Sequence, residues 1–168
     1  MKTILLIRHA KSSWDNFSIN DAERSLNERG KKNATQMAKR LLKKKIAINA
    51  FLTSPATRAL TTAQLFAREY GYSPENIIVI PELYMAGHAA FIAAISSAPE
   101  EAGTIAVFSH NSGITEFANS LTEVRIDNMP TCSIFAFTAD INNWQDFNHS
   151  AASFAFFDYP KAPPGKSD

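Results

Sequence analysis

The feature that most constrains the fold is an unbroken apolar run near the start of the chain, Thr3-Ile4-Leu5-Leu6-Ile7. Because these residues do not alternate with polar ones, they predict a strand buried on both faces, as in the middle of a parallel sheet. The run stops abruptly at Arg8-His9. Unpaired cationic side chains are costly to bury, and ligands bind beyond the carboxyl ends of strands in open α/β sheets. The pair therefore indicates a functional site, with a solvated strand end as the alternative.

Length and composition predict one globular domain. The chain has 168 residues, 45% of them hydrophobic and 20% charged, and we expect a single domain over 1–160 with a flexible tail over 161–168. A net charge of +1 gives no indication of a nucleic acid or membrane partner. The single cysteine, Cys132, is predicted to be a buried small hydrophobe. Its solitary occurrence and the lack of a long apolar run favour a cytoplasmic protein.

Hydrophobic periodicity and turn residues predict strands alternating with helices. Strands are predicted over 3–7, 50–53, 77–80, 105–108, 132–138 and 154–159, and helices over 28–45, 55–70, 88–97 and 112–121. Asn27 and Ser54 are predicted N-caps, with Pro55 at the first helical position and Gly71 as a left-handed C-cap. The pattern predicts a three-layer α/β/α sandwich whose mostly parallel central sheet carries an antiparallel edge.

The predicted first helix has two distinct faces. Its apolar stripe consists of Ala34, Met37, Ala38, Leu41 and Leu42, and its basic face consists of Lys31, Lys32, Lys39, Arg40, Lys43 and Lys44. The stripe predicts packing against the sheet. The basic face is interpreted as a solvated surface, with docking of an acidic partner as the alternative.

Cationic side chains recur where the predicted parallel strands end. Arg8 and His9 follow the first strand, Arg58 follows the second within one turn, and His110 follows the fourth. Because these ends share one edge of the sheet, we expect the four side chains to meet there. Helix N-termini near Pro55 and Ser112 would direct free N–H groups to the same place. Arginine suits bidentate contact with phosphate, so the sequence predicts a pocket for a phosphoryl group.

Two histidines in such a pocket can divide the chemistry between them. A neutral imidazole can attack phosphorus and form a covalent phosphohistidine, and a second, cationic imidazole can stabilise the phosphoryl oxygens. His9 is the predicted nucleophile because the strand end fixes its backbone, and His110 joins the arginines. A metal site is the alternative, disfavoured because arginines repel cations and no HxH or HExxH spacing occurs. His88 and His149 lack this context and are predicted to be surface residues.

The stretch Arg8-His9-Ala10-Lys11-Ser12 resembles the signature of the histidine phosphatase superfamily, an Arg-His-Gly or Arg-His-Ala tripeptide after the first strand. The similarity extends along nearly the whole chain to the small SixA-type phosphohistidine phosphatases, which belong to the phosphoglycerate mutase-like proteins. The segments that carry it are 8–14, Asp21, 24–30, 54–59, 81–84, 109–113 and 159–160. The resemblance implies that His9 is phosphorylated during catalysis and that Arg8, Arg58 and His110 bind the phosphoryl group.

The remaining site residues are less constrained. Larger relatives supply a general acid from the segment after the third strand, where Glu82 is the only acidic residue, with helix capping or an ion pair as its alternative role. Ser12, Arg24 and Asn111 are predicted to contact the substrate, although loop hydrogen bonding would also explain Ser12 and Arg24. No metal or cofactor is expected.

The short segment between the predicted third and fourth strands leaves no room for a large lid, so the site should accept a side chain projecting from another protein. The sequence therefore predicts a metal-independent phosphatase that hydrolyses phosphohistidine on a partner protein, such as a phosphorelay domain. One alternative is a phosphatase for small phosphoesters. The other is a phosphoprotein-binding module without turnover.

Overall fold

The computed structural model describes residues 1–14, 18–148 and 151–161. Within them the strands are β1 (Lys2–Arg8), β2 (Ala50–Thr53), β3 (Ile78–Val79), β4 (Thr104–Ser109), β5 (Ile134–Ala139) and β6 (Ala152–Asp158), and the helices are α1 (Glu28–Lys43), α2 (Thr57–Glu69), α3 (His88–Ser96) and α4 (Gly113–Leu121). Short 3-10 turns cover Asp21–Glu23, Pro74–Asn76, Pro81–Leu83 and Trp144–Asp146. No described helix has both the length and the apolar character needed to span a bilayer.

The strands form one mixed sheet in the order β3-β2-β4-β1-β5-β6. The pairs β3–β2, β2–β4 and β4–β1 are parallel, whereas β5 pairs antiparallel with both β1 and β6. The predicted mostly parallel sheet with an antiparallel edge is therefore confirmed. The antiparallel part begins directly beside β1, which lies between a parallel and an antiparallel neighbour.

Strand β1 contributes to two hydrophobic cores, one on each face of the sheet. Ile4 and Leu6 pack with residues of α3 and α4, whereas Leu5 and Ile7 pack with residues of α1 and α2. Successive side chains of a strand point to opposite faces, so an apolar run without alternation belongs between two helical layers. The predicted three-layer sandwich is confirmed. Cys132 is fully buried, as predicted.

Helix α1 begins as predicted and ends earlier. The Asn27 side chain accepts a hydrogen bond from Gly30 N at 2.8 Å, which satisfies one free N–H of the first turn. The helix ends at Lys43 rather than Lys45, because Lys45 adopts a positive φ of 61°. Leu42, predicted to belong to the buried stripe, is instead 39% exposed, since it lies at the margin of the face that packs on the sheet.

Two cations of the predicted basic face have a structural role. The Asp158 carboxylate at the end of β6 is buried, and it accepts hydrogen bonds from Arg40 Nη1 at 2.8 Å and Lys44 Nζ at 3.4 Å. A buried carboxylate requires such partners. These contacts connect α1 to the antiparallel edge of the sheet, so Arg40 and Lys44 are not part of a free solvated face.

Helix α2 starts later than predicted. Ser54 and Pro55 were predicted to be its N-cap and first residue, but the helix begins at Thr57, with Ala56 as the N-cap and no side-chain cap. The Ser54 hydroxyl accepts from Ala56 N at 3.2 Å and also contacts His110. The tertiary contact therefore positions Ser54 before the helix rather than at its cap. Gly71 has the predicted positive φ, 65°.

Most of the remaining boundaries shift by one or two residues. Strand β3 is shorter than the predicted 77–80, since it has a single partner at the sheet edge. Strand β5 begins at Ile134 rather than Cys132, which has a positive φ of 61°, and β6 covers Ala152–Asp158 rather than 154–159 because Ala152 pairs with Ala139. Of the predicted tail over 161–168, only Lys161 lies within the described residues, and His149 lies outside them.

Candidate active site

The register of the sheet brings three strand ends to one edge. Arg8, the last residue of β1, lies opposite Ser109, the last residue of β4, and Thr53 of β2 lies opposite Phe108 of β4. The residues that follow these strands are therefore neighbours. Because the strands are parallel, their carboxyl ends open onto a common crevice.

The amino-terminal turn of α1 packs closely against the segment that follows β1. A Cβ added at Gly30 would collide with the carbonyl oxygen of Lys11, so only glycine permits this approach. Asn27 N donates to the same Lys11 oxygen at 3.1 Å. These backbone contacts help to hold the segment after His9 in place.

His9 is buried and held in one ring orientation. Its Nδ1 lies 2.7 Å from the carbonyl oxygen of Ala10, and because a carbonyl only accepts, Nδ1 carries the proton. Burial and the nearby charges of His110, Arg58 and Arg8 lower the pKa of His9 to about 3. The imidazole is therefore neutral near pH 7, with the lone pair on Nε2.

Arg58 lies in the first turn of α2 and is 5% exposed. Its Nε donates toward His9 Nε2 over 3.4 Å. The other side of the guanidinium is occupied by Asp21, because Nη1 donates to the Asp21 carbonyl at 2.7 Å and Nη2 to Asp21 Oδ2 at 2.9 Å. Arg58 is thus oriented by a residue from a distant loop.

His110 follows β4 and packs beside His9, with 5.2 Å between the ring centroids. Its Nε2 lies 2.7 Å from Ser54 Oγ, whereas its Nδ1 is buried and has no hydrogen-bond partner among the residues that the structure describes. Burial and then the charge of Arg58 lower the pKa of His110 to about 4. His110 is therefore neutral near pH 7, and a bound anion would favour its cationic form.

Arg8 completes the group. Its Nη1 donates to the carbonyl oxygen of Met129 at 2.8 Å, and its Nε is buried without a hydrogen-bond partner in the described part of the chain. Burial and the neighbouring Arg58 lower the pKa of Arg8. The guanidinium is therefore fixed on one side by the backbone and unsatisfied on another.

These side chains surround a pocket of about 230 Å³. It is lined by Arg8, His9, Lys11, Ser12, Trp14, Arg24, Arg58, His110, Asn111 and Thr131. Within the described part of the chain, four buried side-chain polar atoms lack a partner, and three of them belong to pocket residues: Arg8 Nε, Arg24 Nε and His110 Nδ1. Buried polar groups are normally hydrogen-bonded, so unsatisfied nitrogens gathered around one pocket favour a ligand with several acceptor oxygens.

The predicted substrate-binding residues have different positions. Ser12, Arg24 and Asn111 line the pocket, whereas Glu82 is exposed and does not line it. Arg24 Nη1 donates to Ser12 Oγ at 2.6 Å, and its guanidinium lies over the Trp14 ring at 3.5 Å from the centroid. The loop hydrogen bonding considered as an alternative for Ser12 and Arg24 is thus present.

Sequence reasoning missed the contact of Asp21 with the site. The Asp21 carboxylate accepts from Tyr84 Oη at 2.6 Å and from Arg24 Nη2 at 3.2 Å, in addition to Arg58. The hydrogen bonds from Tyr84 and Arg58 lower the pKa of Asp21 to about 2, so it is a carboxylate at neutral pH. Asp21 lies in a short 3-10 turn within a polar stretch that has no periodicity, and from the sequence it stands out only as one of the positions that carry the resemblance.

Ser54 was also assigned differently from the sequence, since a Ser-Pro pair before a helix ordinarily indicates a cap. Its contact with His110 depends on the pairing of β2 with β4. His88 is exposed, as predicted. Among the residues that the structure covers, no three His, Cys, Asp or Glu side chains are grouped in a way that could hold a metal ion.

The fold and pocket together define a three-layer α/β protein with paired histidines and arginines at the carboxyl edge of its sheet. The model of the histidine phosphatase superfamily (branch 1) matches residues 4–84. A chloroplast protein of Arabidopsis thaliana, described as uncharacterized, is 30% identical over 154 residues, which cover 86% of this chain and 70% of that protein. The chain belongs to the histidine phosphatase superfamily.

Solved structures with the same fold include SixA proteins. The SixA protein from Agrobacterium tumefaciens aligns with a TM-score of 0.77 and 22% identity, covering 96% of this chain and 98% of that one. The protein histidine phosphatase SixA complexed with tungstate aligns with a TM-score of 0.74 and 23% identity, covering 94% and 97%. The phosphoglycerate mutase-like α/β fold expected from the sequence is therefore confirmed.

Proposed function

We propose that this chain is a metal-independent SixA-type phosphatase that removes phosphate from a histidine on a partner protein, through a covalent intermediate on His9. The observation that carries the proposal is the set of unsatisfied nitrogens of Arg8, Arg24 and His110 around the His9 side chain. A tetrahedral oxyanion supplies acceptors for these donors. The tungstate bound by the SixA structure of the same fold is such an anion.

In the first step, His9 Nε2 attacks phosphorus while Nδ1–H donates to the Ala10 carbonyl. The P–N bond to the partner's imidazole breaks, and its electron pair returns to that ring. When the partner's ring is protonated on its other nitrogen, it leaves as neutral imidazole. Arg8, Arg58 and His110 hold the phosphoryl oxygens as their charge redistributes.

In the second step, water attacks phospho-His9. Because the Ala10 carbonyl keeps the proton on Nδ1, the phosphorylated ring is a cation, and cleavage of its P–N bond returns neutral His9 directly. Phosphate leaves, and one proton of the water is released to solvent. The hydrogen bond of 2.7 Å between Nδ1 and Ala10 therefore supports both steps.

The ionisable side chains in and around the pocket favour a phosphohistidine substrate over a phosphoester substrate. Among the described residues that line the pocket there is no carboxyl group, Glu82 is exposed outside it, and Asp21, with a pKa of about 2, carries no proton to donate. An alkoxide leaving group needs an acid, a contribution typically worth about 10²–10⁴-fold. A protonated phosphohistidine ring leaves as neutral imidazole and therefore does not need an acid.

The size of the pocket supports the same assignment. Its volume of about 230 Å³ lies below the roughly 300–1,000 Å³ of sites that enclose drug-sized ligands. Between β3 and β4 the described chain forms a 3-10 turn and α3, which packs against that turn and α4. A phosphoryl group on a projecting imidazole fits such a pocket better than a whole metabolite does. We further propose, from the single buried cysteine, that the protein works in the cytoplasm.

The test is hydrolysis of a chemically phosphorylated histidine protein in excess chelator by the wild type, His9→Ala and His88→Ala. We expect turnover and an acid-labile phosphoenzyme in rapid quench with the wild type and His88→Ala, and neither with His9→Ala. Undiminished hydrolysis of the phosphorylated protein by His9→Ala would refute the proposal. Faster turnover of a phosphoester panel would favour a small-molecule phosphatase, and phosphate binding without a phosphoenzyme would indicate a binding module.

A further inference from the structure

A second cavity adjoins the pocket and is unused by the chemistry above. This basic groove has a volume of about 390 Å³ and is lined by Lys11, Arg29, Asn33, Pro130, Thr131, Tyr159, Pro160 and Lys161. Lys11 and Thr131 line both the groove and the pocket. A molecule that occupies the pocket and extends beyond it toward Thr131 therefore enters the groove.

The lining of the groove that the structure describes is positively charged. Lys11, Arg29 and Lys161 are exposed and form no ion pair with any residue in the described ranges, and none of the lining residues is acidic. On the basic face of α1, by contrast, four of the six cations lie near a carboxylate: Lys31, Lys39, Arg40 and Lys44. The groove therefore presents three exposed cations without a carboxylate partner among the described residues, directly beside the pocket.

Arg40 holds Tyr159 and Pro160, which form the apolar side of the groove, in place through their backbone carbonyls. Arg40 Nη1 donates to the Tyr159 carbonyl at 3.1 Å and Nη2 to the Pro160 carbonyl at 3.4 Å, while the same guanidinium binds the buried Asp158. Tyr159 and Pro160 are therefore positioned by an internal ion pair rather than by a ligand. A surface ordered in advance loses less conformational entropy on binding.

We propose that the basic groove binds an acidic segment of the partner protein next to its phosphohistidine, so that carboxylates pair with Arg29 and Lys161 while the phosphorylated ring enters the pocket. This inference rests on the proposed function and specifies the partner's surface. Complementary charge beside a reactive site raises the rate of productive encounter and aligns the partner. Because the cations are exposed, the effect must weaken as salt is added.

The test uses two phosphohistidine peptides that differ only in flanking residues, glutamates in one and glutamines in the other, together with free phosphohistidine. For the wild type we expect kcat/KM to be about tenfold higher for the glutamate peptide at low salt, as two exposed ion pairs would give, and the preference to shrink at high salt. In the double variant Arg29→Glu/Lys161→Glu, the higher kcat/KM for the glutamate peptide should disappear, or the glutamine peptide should become the better substrate.

The matched control is Lys43→Glu/Arg68→Glu, which makes the same change in net charge at two exposed positions that line neither cavity. It should keep the wild-type preference. If the wild type hydrolyses free phosphohistidine but treats both peptides alike, or if the control loses the preference as fully as the groove variant, the groove proposal is overturned. If the wild type hydrolyses none of the three substrates, the proposed function itself fails.

Discussion

Replacing Ser54 by alanine tests whether a buried hydroxyl fixes the protonation of His110. Ser54 Oγ accepts a hydrogen bond from Ala56 N at 3.2 Å and lies 2.7 Å from His110 Nε2. With the hydroxyl proton donated to Nε2, a neutral His110 carries its proton on Nδ1, the buried atom that has no other partner. In that tautomer Nδ1 is a donor toward a phosphoryl oxygen.

The expected loss follows from the contacts removed. In Ser54→Ala, His110 Nε2 is left without its partner in a site where the ring is 7% exposed, and an unsatisfied buried polar group costs about 1–3 kcal/mol. If about 1.4 kcal/mol of this falls on the transition state, kcat/KM decreases about tenfold. The nucleophile His9 keeps its own hydrogen bond to Ala10, so phosphoenzyme still forms, more slowly.

Ser109→Ala is the matched control. Ser109 is as buried as Ser54 and precedes His110 directly, but its hydroxyl donates to the Leu83 carbonyl at 2.7 Å. Both variants should lose comparable stability in thermal unfolding. Only Ser54→Ala should change the ¹⁵N shifts of the His110 imidazole and reduce kcat/KM on phosphohistidine.

Two results would refute the reasoning about Ser54. The first is a wild-type kcat/KM in a folded Ser54→Ala protein. The second is an equal loss of kcat/KM in Ser109→Ala, which would assign the effect to general destabilisation beside the site rather than to the imidazole.

Three further predictions concern charge. The His9 imidazole, with a pKa of about 3, should stay neutral in an NMR titration from pH 7 to 5. Because His9 binds a proton in the unfolded chain but not in the folded one below pH 6.5, the free energy of unfolding should fall as the pH drops through that range. Protonation of His9 near pH 6.5 in the folded protein would contradict both expectations. Asp21→Asn should tighten phosphate binding about three- to tenfold in calorimetry, because it removes a carboxylate bound to Arg58 while keeping an acceptor for it; weaker binding would contradict the assignment. Asp158→Asn should lower the free energy of unfolding by about 3–5 kcal/mol in denaturant titration, because Arg40 loses a buried charged partner. A change below about 0.5 kcal/mol would mean that the pair contributes little.

The sequence determined the order of strands and helices, because each element carries a local hydrophobic period that does not depend on its neighbours. The run over 3–7 alone required two helical layers, and the core residues on its two faces bear this out. The proximity of Arg8, His9, Arg58 and His110 followed from the parallel arrangement, since parallel strands end at one edge. Boundaries such as those of α2 did not follow, because a Ser-Pro pair can cap a helix or precede it.

Only the tertiary structure decided which atoms of these residues are available for chemistry. The proton on His9 Nδ1 is set by the Ala10 carbonyl. The orientation of Arg58 is set by Asp21, which lies in a short 3-10 turn whose sequence carries no periodic signal. The basic groove likewise joins Arg29 of α1 with Lys161 near the far end of the chain. Hydrogen-bond partners and burial depend on contacts between distant segments, and a linear pattern specifies such contacts only after the chain has folded.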